Sequence, residues 1–230
     1  MPRLTRDQGL VLAAKDAAET DRIVTVLTLG HGKIPILAKG ARRLTHSSGA
    51  ILDLLNRVEV IYYERGGLQL LREASLLYGF PGLRRDPDRL ETALRGAALV
   101  AKLLPERQAN AVAFKLLLQY LAGLEQGISP KVLGLSFHLK ILGAAGFRPH
   151  LSGCVACGAR EDLTWSPERG GLLCRACGGS GAEVPPRVWR TLEGLQRLPL
   201  RAAGRLQASD STLAEARALL EEFTEWQLKR

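Results

Sequence analysis

The sequence predicts an α+β protein: a small β-barrel, then a helical domain that carries an inserted four-cysteine module. Three observations predict it. Residues 1–80 alternate short β-branched runs with glycine-bearing turns. From about residue 86 the apolar period lengthens to the three-to-four spacing of helices. The four cysteines of the chain fall in two C-x2-C pairs, separated by sixteen residues. The expected bounds are 1–80 for the barrel, 81–230 for the helical domain and 150–182 for the module within it.

The first strand is expected at residues 9–14 and the second at 22–28, which runs into a glycine-containing turn at 29–33. Residues 34–38 return as a third strand, where Pro35 suggests an edge or a bulge. Residues 58–63 and 68–77 flank the Glu64-Arg-Gly-Gly67 turn as a second hairpin. Five short strands with a longer third-to-fourth connection suit a five-stranded OB-type β-barrel. A small sandwich is the competing arrangement.

That connection carries charge. No acidic residue lies between Asp21 and Asp53, while Arg22, Lys33, Lys39, Arg42 and Arg43 are basic. On an OB barrel, a positive groove beside loops suits a nucleic-acid backbone, so these five are the candidate DNA-binding residues. The plainer alternative is a solvated cationic loop. Tyr62 and Tyr63 are adjacent on one strand and point to opposite faces, so at most one of them faces a given groove. Tyr78 is a further candidate for base stacking.

Asp86-Pro87 opens the first helix, with Asp86 as the capping acceptor, and Pro105 ends it. A second is expected from residue 110 to about 126, with Val112, Leu116, Leu117, Tyr120, Leu121 and Leu124 on its apolar face. Ser129-Pro130 is expected to cap a third, which reaches Gly146 and is apolar most of the way round, as a central helix would be. His138 within it reads as a buried polar group. After the module come a helix ending near Arg197 and a last one over residues 211–227, led by Asp210-Ser-Thr.

Cys154, Cys157, Cys174 and Cys177 match the spacing of a four-cysteine structural zinc site. Gly158 and Gly178 follow the two pairs and permit the sharp turns that aim backbone N–H groups at sulfur. Residues 163–165 and 172–173 read as two short strands around a turn, a zinc-ribbon-like hairpin. Two disulfides are the alternative. Four thiolates leave no open coordination position, so the metal is expected to be structural rather than catalytic. His150 lies near enough in sequence to be considered as a ligand, but four thiols make it redundant.

The chain has 230 residues, 46% hydrophobic and 24% charged, which is ordinary for a soluble protein. Neither a membrane span nor a secretory signal is legible, so a cytoplasmic location is expected. A net charge of +9 and a pI near 9.8 point to an anionic partner. Aromatic residues make up only 5% of the chain, too few for a surface paved with stacked rings. Gly32-Lys33 has Leu27 where a P-loop needs glycine and Ile34 where it needs Ser or Thr. No G-x-S-x-G or H-E-x-x-H motif occurs either, and a non-enzyme is expected.

The residues from Glu19-Thr-Asp21-Arg22 through Thr28, followed by Gly32-Lys33 and Ala38-Lys39-Gly40-Ala41-Arg42-Arg43, resemble the N-terminal signature of the RecO family of bacterial DNA repair proteins. Leu133 to Gly146, leading through Pro149 into Cys154-x2-Cys157-Gly, is similar to that family's central stretch. The resemblance covers essentially the whole chain. It implies a recombination mediator that binds single- and double-stranded DNA, associates with the nucleoid when bound to it, and anneals complementary strands. It also implies action with the ring-forming partner RecR to load the RecA recombinase on DNA coated by single-strand-binding protein. The helical domain would receive the acidic C-terminal tail of that protein. Residues 81–150 carry ten Lys or Arg against five Asp or Glu, and Lys102, Arg107 and Lys115 are the candidate partner-binding residues. Two rivals stand beside this reading: an RNA- or ribosome-binding factor, and a protein-interaction scaffold.

Overall fold

A computed structural model describes residues 3–42 and 48–229. The chain divides into two compact units, Met1–Glu125 and Gln126–Arg230.

In the first unit, β1 (Leu4–Ala17), β2 (Asp21–Thr28), β3 (Gly32–Ala38), β4 (Arg57–Tyr63) and β5 (Gln69–Tyr78) form a closed barrel in the order β1-β2-β3-β5-β4. β1 pairs antiparallel with both β2 and β4, and the parallel contact of β3 with β5 closes the ring. This is the OB-type arrangement expected of the sequence. β3 and β4 alternate strictly, turning Ile34, Ile36 and Ala38, then Val58, Val60 and Tyr62, into one core with Val11, Val24 and Val26. Each fully buried aliphatic side chain there contributes about 1.5–3 kcal/mol.

β1 is far longer than the six residues expected. Its first part reads as polar, yet it pairs with β4 from Leu4↔Tyr63 onward, and a bulge between Val11 and Ala13 bends it across to β2. Pro35 is accommodated as predicted for an edge, because β3 meets β5 only at Ile36 and Leu37. A short helix, α1 (Ser48–Ile51), lies between β3 and β4 and packs against β5.

Two longer helices belong to the same unit, α2 (Pro87–Leu103) and α3 (Ala111–Glu125). Asp86 caps α2 as expected, its side chain accepting from the Arg89 N–H at 3.2 Å. Asn110 does the same for α3, accepting from Ala113 N–H at 2.9 Å. The helices cross closely where Gly96 meets Tyr120, whose hydroxyl donates to the Thr92 carbonyl at 2.6 Å. Val112 does not join the apolar face of α3; it is 61% exposed, because the buried stripe begins one residue on, at Ala113.

In the second unit, α4 (Pro130–Ala144) packs against α5 (Pro186–Arg197), α6 (Asp210–Leu228) and a 3₁₀ turn at Leu200–Arg205. Its burial on most sides explains why its apolar residues run all round it. Ser129 precedes α4 but its side chain makes no capping bond. The cap of α6 lies one residue ahead of the expected triplet, where Ser209 Oγ accepts from Thr212 N–H at 3.3 Å. Strands β6 (Leu163–Ser166) and β7 (Gly171–Cys174) form the hairpin read from the sequence, joined through a 3₁₀ turn at Pro167–Arg169. Among the described residues, no helix is long and apolar enough to cross a membrane.

Candidate metal centre and cationic strand ends

The candidate metal centre is assembled from two tight turns. Cys174 ends β7 and leads into a 3₁₀ turn, Arg175–Cys177, closed by Gly178 at φ 92°. The first turn, from Cys154 to Gly158, closes in the same way with Gly158 at φ 79°, its N–H donating to the Cys154 carbonyl at 2.9 Å. A side chain at either glycine would be strained in that left-handed conformation. Val155 N–H donates to the Leu172 carbonyl at 2.8 Å and so ties the first turn to the hairpin. Trp165 of β6 then packs on Phe223 of α6, with ring centroids 5.8 Å apart, and anchors the module to the helices.

All four Sγ atoms lie within 4.8 Å of one another, and Cys157 Sγ stands 3.7 Å from Cys174 Sγ. Metal–sulfur bonds of about 2.3 Å in a tetrahedron require sulfurs about 3.8 Å apart. A disulfide needs about 2.05 Å, and all four cysteines are free. The cluster therefore suits one metal ion and leaves no thiol for another role. Cys154 and Cys174 are buried while Cys157 reaches the surface.

The backbone favours a thiolate at the inner position. The N–H groups of Cys174, Cys157 and Ala156 hold Cys154 down to about 6 against the opposing effect of burial. Burial pushes Cys174 up, and the neighbouring sulfurs of Cys174 and Cys157 push Cys177 up to about 12. Four sulfurs this close cannot all ionise without a cation between them. His150 stays outside the cluster. Its Nε2 lies 3.2 Å from Ser152 Oγ, and its backbone pairs with Gly170 and Leu172.

The basic residues of the barrel separate into two groups. Arg22 pairs with Ala38 across the β2–β3 ladder, so Arg22, Lys39 and Arg42 share one strand end. Arg22 and Arg42 both meet Asp16, each at 3.4 Å, and Arg42 also donates to the Glu19 carbonyl at 3.2 Å. Lys39 is exposed. Lys33 stands at the opposite end of β3, about 20 Å away at the usual strand rise, and its Nζ donates to the Ala101 carbonyl. Arg43 lies outside the described residues. Of the tyrosines, Tyr62 is buried in the barrel and burial raises its phenol to about 12, while Tyr63 lies on the other face. Tyr78 is exposed, and its hydroxyl donates to Glu125 Oε2 at 3.0 Å.

The three partner-binding candidates all lie in the first unit. Lys102 is exposed in the last turn of α2 and Lys115 is exposed on α3. Arg107, between these helices, has its guanidinium on the carbonyls of Arg65, Gly66 and Gly67 in the β4–β5 turn.

Sequence reading passes over a second charged cluster, in the other unit. Glu193 of α5 is almost buried, with Arg160 at 2.9 Å on one oxygen and Arg197 at 2.8 Å on the other. The i,i+4 spacing of Glu193 and Arg197 was the only available signal; the approach of Arg160 comes from the fold.

Residues 1–80 match the family described as recombination protein O, N terminal, and residues 84–230 that described as recombination protein O, C terminal. The DNA repair protein RecO of Roseiflexus sp. (strain RS-1) is 32% identical over 234 residues, covering 99% of this chain and 82% of that protein. Its counterpart in Geobacter metallireducens is 36% identical over 187 residues, covering 80% of this chain and 77% of that protein. The RecO of Anaeromyxobacter sp. (strain K) is 34% identical over 232 residues, covering 96% and 91%. With both parts of the chain matched and such relatives spanning most of its length, the chain belongs to the recombination protein O (RecO) family.

Proposed function

We propose that this protein is a non-enzymatic DNA repair mediator. It binds single- and double-stranded DNA, anneals complementary strands without hydrolysing nucleotide, and works with RecR to load RecA on DNA coated by single-strand-binding protein. Family membership along both parts of the chain is the observation that carries this reading. The OB-type barrel with cationic side chains at a strand end supports it, because phosphate contacts of this kind position DNA without reading its sequence. Arg22, Lys39 and Arg42 are the proposed core of the DNA contact, with Arg43 adjoining and Lys33 at the far strand end.

The barrel region, residues 1–80, is assigned the DNA and RecR contacts. Residues 81–230 receive the acidic tail of single-strand-binding protein, with Lys102, Arg107 and Lys115 as candidate contacts. The proposed metal is one zinc ion held by Cys154, Cys157, Cys174 and Cys177, since an all-thiolate tetrahedron suits zinc. Zinc supplies four thiolate bonds and no open position there, so it contributes folding free energy.

The test is annealing of two complementary oligonucleotides by the purified full chain without ATP, with and without single-strand-binding protein. Accelerated annealing in both conditions is expected. Absence of any acceleration over the spontaneous rate, in protein that binds DNA, would remove the annealing activity. Absence of DNA binding at low salt would remove the whole reading and leave a protein-interaction scaffold.

A further inference from the structure

A cleft of about 240 Å³ opens in the second unit, between the segment after α4 and the last turns of α5. Arg148, His150 and Ser152 line one side, and Glu193, Gln196 and Arg197 the other. Gln196 holds the two sides together: its Nε2 donates to the Pro149 carbonyl at 2.9 Å, and its Oε1 faces an Arg148 N–H at 3.5 Å. The one carboxylate in the wall faces two arginines. Glu193 has an arginine on each oxygen, and one of them, Arg160, is also held over the Trp189 ring at 4.8 Å. Glu193 thus fixes Arg197 at the rim while the side chain of Arg197 remains 66% exposed.

Two arginines line the cleft, and its single carboxylate is also paired with a third, Arg160, outside the lining, which leaves the cleft cationic. Lys140 stands behind it, Nζ donating to the Gln196 carbonyl at 3.3 Å, and its ammonium is held below the ordinary lysine range by burial and then by the charge of Arg148. A guanidinium has five donors in a planar fork suited to phosphate oxygens. Arg148 has one long hydrogen bond and Arg197 one ion pair, so both have donors to offer.

We infer that this cleft binds a phosphate group of a nucleic-acid backbone, with Arg148 and Arg197 as its two charged contacts and His150 and Ser152 as neutral ones. The inference deepens the nucleic-acid reading above and rests on it, adding a contact distinct from the cationic strand end of the barrel. An acidic peptide with an apolar end fits less well. The apolar residues of the wall, Pro149 and Leu151, are buried, and no apolar floor is open to receive such an end.

The test uses the full chain and a labelled mixed-sequence single-stranded oligonucleotide, with affinity measured across a salt series. Arg148→Ala and Arg197→Gln are each expected to lower the slope of log affinity against log salt by about 0.7. Each is also expected to weaken binding about tenfold at low salt. Arg201→Ala, which removes an exposed arginine outside the cleft, is expected to change neither. Equal losses in all three variants would mean general electrostatics and overturn the cleft. Unchanged slopes in the two cleft variants, with the wild type binding normally, would overturn it as well while sparing the nucleic-acid reading. If the wild type does not bind, that reading falls too. Phenylglyoxal labelling of the unmutated protein, read by mass spectrometry, keeps the test independent of variant folding. Protection of Arg148 by the oligonucleotide is expected, and equal labelling with and without it would refute the contact.

Discussion

His138 is held on α4 with Nε2 at 2.7 Å from Thr224 Oγ1, and that hydroxyl already donates to the Leu220 carbonyl at 2.7 Å. The hydroxyl proton is therefore spent, so the ring donates from Nε2. Burial, and then the charge of Arg217, push its pKa down to about 4 from an unfolded value near 6.5. Between those values the unfolded chain binds more protons than the folded one, so stability falls as the pH drops through the window. Across the full window the loss is on the order of 3 kcal/mol, and above about pH 6.5 the term vanishes. All three tryptophans (Trp165, Trp189 and Trp226) lie in the second unit, so urea unfolding followed by their emission reports that unit. His138→Gln retains a donor but cannot be charged. Its stability deficit against wild type at pH 7.5 is expected to shrink or reverse by pH 5. Parallel stability curves for the two proteins would show that His138 does not titrate in this way.

Gly96 decides how closely α2 approaches α3, since a Cβ placed there would lie 2.3 Å from the Tyr120 ring. Alanine is favoured over glycine in a helix interior by about 1 kcal/mol. Overpacking costs about 1–3 kcal/mol, and the ring is pinned by its bond to the Thr92 carbonyl. Overpacking should win. Gly96→Ala is expected to lower stability by about 1 kcal/mol, and a stabilised variant in thermal melts would show that the helices can slide apart freely. The four-cysteine module acts as an element in the same sense, because its four-residue β6 and β7 strands bury only a few apolar side chains, chiefly Leu163, Leu172 and Leu173. One zinc per chain is expected from metal analysis. Chelation or Cys157→Ala should cost on the order of several kcal/mol in the tryptophan-detected transition. A chelated protein melting with the holo protein would leave the metal without a structural role.

At the scale of the whole molecule, the charge of +9 is unevenly distributed, and the acid-free stretch from Arg22 to Leu52 is its sharpest feature. Replacing Lys39, Arg42 and Arg43 together by alanine is expected to reduce the salt slope of single-strand binding by about 2, at roughly 0.7 per phosphate. Zinc content should not change, since these residues lie far from the cysteines in sequence and in a different compact unit. The same three substitutions with an unaltered slope would move the DNA contact away from the barrel's strand end. Lys33→Ala is a useful contrast, because its ammonium is bonded to the Ala101 carbonyl and its loss should register first as reduced stability.

What the sequence determined by itself was local. Two C-x2-C pairs with trailing glycines, strand-forming runs around glycine turns and the Asp86-Pro87 cap each depend on neighbours within a few residues, and each stands where the sequence places it. The tertiary structure decided what depends on chain closure. β1 begins at Leu4 because β4 supplies the partner for a segment with little apolar alternation of its own. Lys33 and Lys39, neighbours in one basic run, are separated because a strand carries them to opposite ends of the barrel. Arg160 reaches Glu193 across thirty-three positions only because the cysteine module folds back onto α5. Propensity and spacing act within a turn or two of chain. A long-range ion pair or a ladder register has no local signal, because its free energy appears only once the fold brings both partners together.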